Sequence, residues 1–149
     1  NNKIYFILIE TSKASQLLDI KLQAWSEVPA IPVSYSRCGL CPVELTEKLY
    51  AYNPWSEDTR ELLELNLKAF VWKIICLPSA FKILNLVELP GTSSMIFIGS
   101  SYTVRRIDPV AQTVCEVGEV NKAGVVFYFM HEGSLIYHRY DLLQVFVQQ

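Results

Sequence analysis

The chain has 149 residues, of which 51% are hydrophobic and 19% charged, with a formal net charge of −2. That excludes a disordered chain, which needs low hydrophobicity and high net charge, and 6 Gly with 7 Pro exclude a collagenous or low-complexity one. The slight negative balance argues against a dominant phosphate-binding surface and leaves room for a local basic patch.

In chain order, Lys3 to Glu10 is a nearly continuous apolar run with β-branched and aromatic residues, and predicts a strand buried on both faces. Ala14, Leu17, Leu18, Leu22 and Trp25 fall at helical spacing, predicting a helix over 12–26 capped by Thr11 or Ser12. Val28 to Pro42, punctuated by Pro29, Pro32 and Gly39, reads as an extended connection with a short strand at Ile31 to Tyr35. Val43 to Tyr52 predicts a short helix ended by Asn53-Pro54. Ser56 then caps a helix running from Glu57 to Cys76, with Leu63, Leu67, Phe70, Val71 and Ile74 on one face and Pro78 as its stop.

From Phe81 the pattern turns to strands. These are expected at Lys82–Leu89, Ser94–Gly99, Tyr102–Ile107, Thr113–Val120, Gly124–His131 and Ser134–Tyr140, with Leu142–Val147 a last strand or a terminal helix. The turns at Pro90-Gly91-Thr92 and Asp108-Pro109 are too short for parallel crossovers, so the strands form antiparallel meanders. Helices first and strands second imply an α+β fold. An N-terminal strand and about three helices pack on a C-terminal antiparallel meander sheet of five to six strands, and closure into a small barrel is the main variant. No internal repeat is visible, and a single domain spans 1–149.

The chain opens on Asn1 without a charged leader, so no signal peptide is expected and the chain reads as a fragment of a larger protein. The apolar stretch Leu62–Leu89 is interrupted by Glu64, Lys68, Lys73, Lys82, Glu88 and Pro78. It falls short of the about 20 apolar residues of a membrane span, so no membrane association is expected. Cys76 and Cys115 read as small buried hydrophobes, which points to an intracellular compartment.

Cys38-Gly39-Leu40-Cys41 is the one recognised short motif. Cys38 and Cys41 can be half a zinc site or a redox pair, but a second pair at matching spacing is missing and no βαβ unit is visible nearby, so neither a metal nor another cofactor is expected. Cys115, His138 and Asp141 can be drawn as a nucleophile, base and orienter, yet only geometry makes such a set a site. Phosphate loops, HExxH and GxSxG are all missing, so no catalytic residue is assigned. His131 abuts a turn, and Glu116 and Glu119 alternate to opposite faces of one strand.

Two surfaces remain. Tyr50, Tyr52 and Trp55 cluster around Asn53-Pro54 and would mark a protein-binding patch if exposed. Tyr102, Arg105, Arg106 and Arg139 lie on predicted strands, and aromatics with Arg on a sheet are what single-stranded nucleic-acid platforms use. Adjacent Arg105 and Arg106 cannot face one groove, however. The sequence therefore predicts a non-catalytic protein-interaction domain of a larger intracellular protein, with another protein as its partner in a complex. A single-stranded nucleic-acid-binding barrel and a small-ligand or enzymatic cup are the alternatives.

Overall fold

The computed structural model describes residues 5–8, 15–19, 22–31, 39–99, 102–120, 125–131, 134–139 and 143–147. Among these residues the regular structure is strands, apart from one 3₁₀ turn at Glu44–Thr46. The first sheet holds β1 (Tyr5–Leu8), β2 (Ser15–Asp19) and β3 (Ala24–Val28). The second holds β4 (Gly39–Val43), β5 (Lys48–Tyr52), β6 (Thr59–Asn66) and β7 (Val71–Phe81). The third holds β8 (Val87–Glu88), β9 (Met95–Ile98), β10 (Thr103–Asp108) and β11 (Thr113–Glu119). The fourth holds β12 (Val125–His131), β13 (Ser134–Arg139) and β14 (Leu143–Val147). Each is an antiparallel meander in which sequence neighbours pair in space.

The α+β expectation is therefore wrong, and so is the single C-terminal sheet or small barrel. The helix expected over 12–26 is the β2–β3 hairpin, that over 43–52 is the 3₁₀ turn and β5, and that over 57–76 is β6, a turn and β7. The cause lies in how the second sheet is covered. Leu62, Leu63, Glu64 and Leu65 are all buried in succession, because both faces of β6 are packed. A strand buried on both faces loses its alternation and reads as a continuous apolar run. Pro78 does not end β7. It sits on the outer strand of its sheet, where a missing N–H costs no ladder bond. There the register jumps from Glu61↔Cys76 to Thr59↔Phe81.

On one face of the second sheet, Val28 packs with Leu49 and Leu65, and Ile31 with Ala51 and Leu63. The indole N–H of Trp72 ties this layer by donating to the carbonyl of Pro29 at 2.8 Å. On the other face, Cys41, Val43, Tyr50, Tyr52 and Leu62 join the larger core, together with Met95, Phe97, Val104 and Ile107 of the third sheet. Like strands of successive sheets lie against each other: β4 on β8, β8 on β12, and β7 on β11. Four-stranded meanders set side by side with first strands together are the arrangement of consecutive β-propeller blades.

The sheets repeat a local signature that the sequence expectations did not contain. Asp19, Asn66 and Asp108 each end the penultimate strand of their sheet and open a four-residue loop. Asp19 Oδ1 accepts from Leu22 N at 3.0 Å. Asn66 Oδ1 accepts from Lys68 N and Ala69 N at 2.9 Å, and Asp108 Oδ1 from Val110 N and Ala111 N at 2.9 and 3.0 Å. The loops close on Gln23, Phe70 and Gln112, each left-handed at φ 51–53°. A side-chain carbonyl or carboxylate opens the turn in each case. The three sites recur at about 40–50 residues, the period of blade repeats.

Candidate functional site

Meander topology puts the three Asx loops at one end of the sheets. The β5–β6 loop, the β7–β8 connection and the β9–β10 turn lie at the other end. There the β5–β6 loop is pinned by its own polar groups. Asn53 Oδ1 accepts from Trp55 N at 3.0 Å, Asn53 O from Ser56 N at 3.3 Å, and Ser56 Oγ from Asp58 N at 3.2 Å. Pro54 fixes its own φ between them. Ser56, expected to cap a helix, caps this turn instead. The loop holds up Trp55, 67% exposed, and the neighbouring connection holds up Leu84, 52% exposed. An ion pair between Glu57 and Lys82 joins the two segments.

Two depressions open at this end. One of about 210 Å³ is lined by Asn53, Ser56, Asp58, Thr59, Arg60 and Glu61. The other, of about 230 Å³, lies between the second and third sheets and includes Phe81, Lys82, Gly99 and Arg105. Phe81 meets Phe97 edge to face at 5.5 Å, and the Arg105 guanidinium sits 5.6 Å from the Phe81 ring centroid. Glu116 lies 3.9 Å from Arg105 Nη2. Gly99 permits this packing, since a Cβ there would come within 2.5 Å of Arg105 Nη1. A third groove, of about 360 Å³, runs along β4 and β8 and includes Cys41, Asn85 and Glu88. Burial, then the Glu88 charge, pushes the Cys41 thiol up to about 12.

The sequence-predicted residues fall as follows. Trp55 is presented to solvent, whereas Tyr50 and Tyr52 are buried and leave the proposed patch. Both lie on the face of β5 that joins the larger core, while Leu49 and Ala51 are buried on the other. There Tyr50 donates to Glu64 Oε2 at 2.8 Å, and Tyr52 Oη accepts from Leu86 N at 3.2 Å. Arg105 and Arg106 occupy opposite faces of β10, paired with Phe97 and Ile96 respectively, as alternation requires. Tyr102 is half-buried at the β9–β10 turn, where its N–H donates to Gly99 O at 3.0 Å. Arg139 is on β13, paired with Val125. Of the nucleic-acid set, Tyr102 and Arg105 share the Trp55 end of the sheets.

Cys41 is buried, and Cys38 lies outside the described residues. Among the described residues, no three His, Cys, Asp or Glu side chains gather as a metal site. Cys76 and Cys115 are exposed rather than buried, and Cys76 faces away from the core because it alternates with the buried Ile75 and Leu77 on β7. His131 and His138 fall on β12 and β13, and Asp141 lies outside the described residues. Asp58, Arg60, Glu61 and Lys82 were not singled out by sequence.

The chain matches no family model and no curated protein. It does resemble solved structures. An auxiliary nutrient binding protein from Bacteroides thetaiotaomicron superposes with a TM-score of 0.65 at 13% identity, over 95% of this chain and 35% of that one. A protein of unknown function from the same organism gives 0.65 at 10% identity, over 97% and 38%. A chain of a nidogen/laminin complex gives 0.62 at 8% identity, over 95% and 54%. This chain thus spans about a third to a half of the length of these structures, and the likeness shows a shared fold.

Proposed function

We propose that this chain is a non-catalytic recognition module that binds a protein partner through the sheet end carrying Trp55. The observation that carries this reading is the pairing of an exposed Trp55 with a loop stiffened by its own hydrogen bonds. Trp is among the residues most enriched as interface anchors. An anchor held in place before binding loses little entropy when the partner arrives. Leu84 adds a second apolar contact, and Glu57, Asp58, Arg60 and Lys82 supply a charged rim of both signs. One structural neighbour is a nutrient binding protein and another belongs to a protein complex, and both are compatible with a binding role.

A single-stranded nucleic-acid surface has less support. Arg105 already lies on Phe81 and beside Glu116, and Arg106 faces the opposite way. The test is affinity capture on the immobilised chain, with nuclease treatment and washes at low and high salt. A protein that stays bound through both is the expected result. Recovery of nucleic acid with steep loss at high salt contradicts the reading.

A further inference from the structure

The fourth sheet has one strand fewer than the second and third among the described residues. β12 lies on β8 as β8 lies on β4, so β12 is the innermost strand of its sheet. Counting outward, β14 holds the place that β6 and β10 hold in theirs. These strands begin at Thr59, Thr103 and Leu143, a spacing within the roughly 40–45 residues of a blade repeat. In the second and third sheets a further strand covers that place: β7 pairs with β6, and β11 with β10. Among the described residues, no strand pairs with the outer side of β14.

The composition of β14 points the same way. An outermost strand presents a row of N–H and C=O groups, which native proteins blunt with charge or proline. β3 carries Glu27, β7 carries Lys73 and Pro78, and β11 carries Glu116 and Glu119. β14 reads LQVFV, with no charge, proline or glycine. It has the residues of a strand with neighbours on both sides, and as an edge it is open to strand addition.

The equivalent strands show what fits there. β7 buries Ile75 and Leu77 in the larger core and exposes Lys73; β11 packs Val114 and Val117 against that core and exposes Glu116. Both run antiparallel to the strand they cover. A second copy of β14 is a poorer match, since Gln144 is its one polar residue and it brings no charge to the edge.

We propose that β14 is an acceptor edge, on which a partner protein lays an extended segment antiparallel to Leu143–Val147. Such a segment has apolar residues facing the core and charged residues facing out. Main-chain hydrogen bonds supply its affinity, and the alternating side chains its specificity. The site uses no residue of the Trp55 end.

The probe is a labelled synthetic peptide copying Val71 to Leu77 with Cys76→Ser, taken from the strand that fills the equivalent place in the second sheet. Two further versions are N-methylated at alternate residues, one at Lys73 and Ile75, the other at Trp72, Ile74 and position 76. A strand added to one edge uses every second N–H. One methylated version should therefore bind the full chain like the parent peptide, and the other about tenfold or more weakly. Hydrogen exchange should slow across Leu143–Val147 on binding and stay unchanged in β6. No binding, equal binding of the two methylated versions, or slowing at β6 in place of β14 overturns the proposal. A dimer pairing β14 with β14 that the peptide does not dissociate also overturns it, and makes a second copy the occupant.

Discussion

The phenol of Tyr50 donates a 2.8 Å hydrogen bond to the carboxylate of Glu64 between the second and third sheets, on paired positions of β5 and β6. Lys48 approaches the other oxygen of Glu64 at 2.9 Å. Glu64 is a charge buried in a stretch of leucines, and its two partners make that burial tolerable. Removing one partner of such a set costs more than the set contributes, because the remainder is left uncompensated.

Glu64→Ala should therefore destabilise the fold by about 3–5 kcal/mol. Tyr50→Phe, which removes one hydrogen bond to a charged acceptor, should cost about 1.5–3 kcal/mol. Urea unfolding of both variants and the double variant measures this. The double variant should fall short of the sum, since the sites share one contact. Full additivity would mean the hydrogen bond contributes nothing.

Cys41 supplies a prediction in pH. Its thiol is moved from an ordinary 9.0 to about 12 by burial and the Glu88 charge, so the folded chain holds this proton where the unfolded chain releases it. The stabilising contribution is complete below pH 9.0 and is lost as pH rises from there toward 12. Tyr50 is pushed up as well, chiefly by burial and then by its bond to Glu64, and acts in the same direction. Stability should fall above about pH 9, and Cys41→Ser should flatten part of that fall. In a Cys38→Ser background at mildly alkaline pH, Cys76 and Cys115 should alkylate quickly and Cys41 slowly. Equal rates for all three would contradict its burial.

The Asx loops predict which substitutions the turns accept. Asp performs at positions 19 and 108 what Asn performs at 66. Asn66→Asp should stay within about 0.5 kcal/mol of wild type. Asn66→Ala, which leaves two N–H groups without this acceptor, should cost about 1 kcal/mol. Thermal unfolding of the two variants decides it, and equal losses would mean the side chain does not organise the loop.

Gly99 gives a geometric prediction. Gly99→Ala places a methyl 2.5 Å from Arg105 Nη1 and should lift the guanidinium from the Phe81 ring. The Arg105 Nε–H resonance should lose its ring-current shift. An unshifted resonance would show that Arg105 does not rest on Phe81.

How much the sequence disclosed follows from how each strand is covered. The strands from Met95 to His131 were legible because short Gly, Pro and Asp turns bracket them. In the first half the strand expected at Lys3–Glu10 stands as β1, but the expected helices do not, and over 57–76 the cause is that Leu62 to Leu65 are buried on both faces and carry no period of two. Leu63, Leu67 and Phe70 lie at helical spacing although Leu67 and Phe70 belong to a turn. Tyr50, Tyr52 and Trp55 look alike as a cluster. Tyr50 and Tyr52 lie within β5, which is covered on both faces, whereas Trp55 falls in the loop after it, a distinction invisible once the segment is taken for a helix. Asp58, Arg60 and Glu61 were absorbed into the expected helix, so their gathering around one pocket had no signal of its own.

The most direct test of recognition at the Trp55 end compares the two ends of the sheets. Trp55 and Leu84 stand at one end and Val110, 73% exposed, at the other, so each can be changed with little effect on the core. Captured partner is quantified for wild type, for Trp55→Ala with Leu84→Ala, and for Val110→Ala, all at matched melting temperature. The partner should be lost in the double variant and fully retained in Val110→Ala. Retention in the double variant, or loss in Val110→Ala, would place recognition away from the Trp55 end and contradict the proposed role.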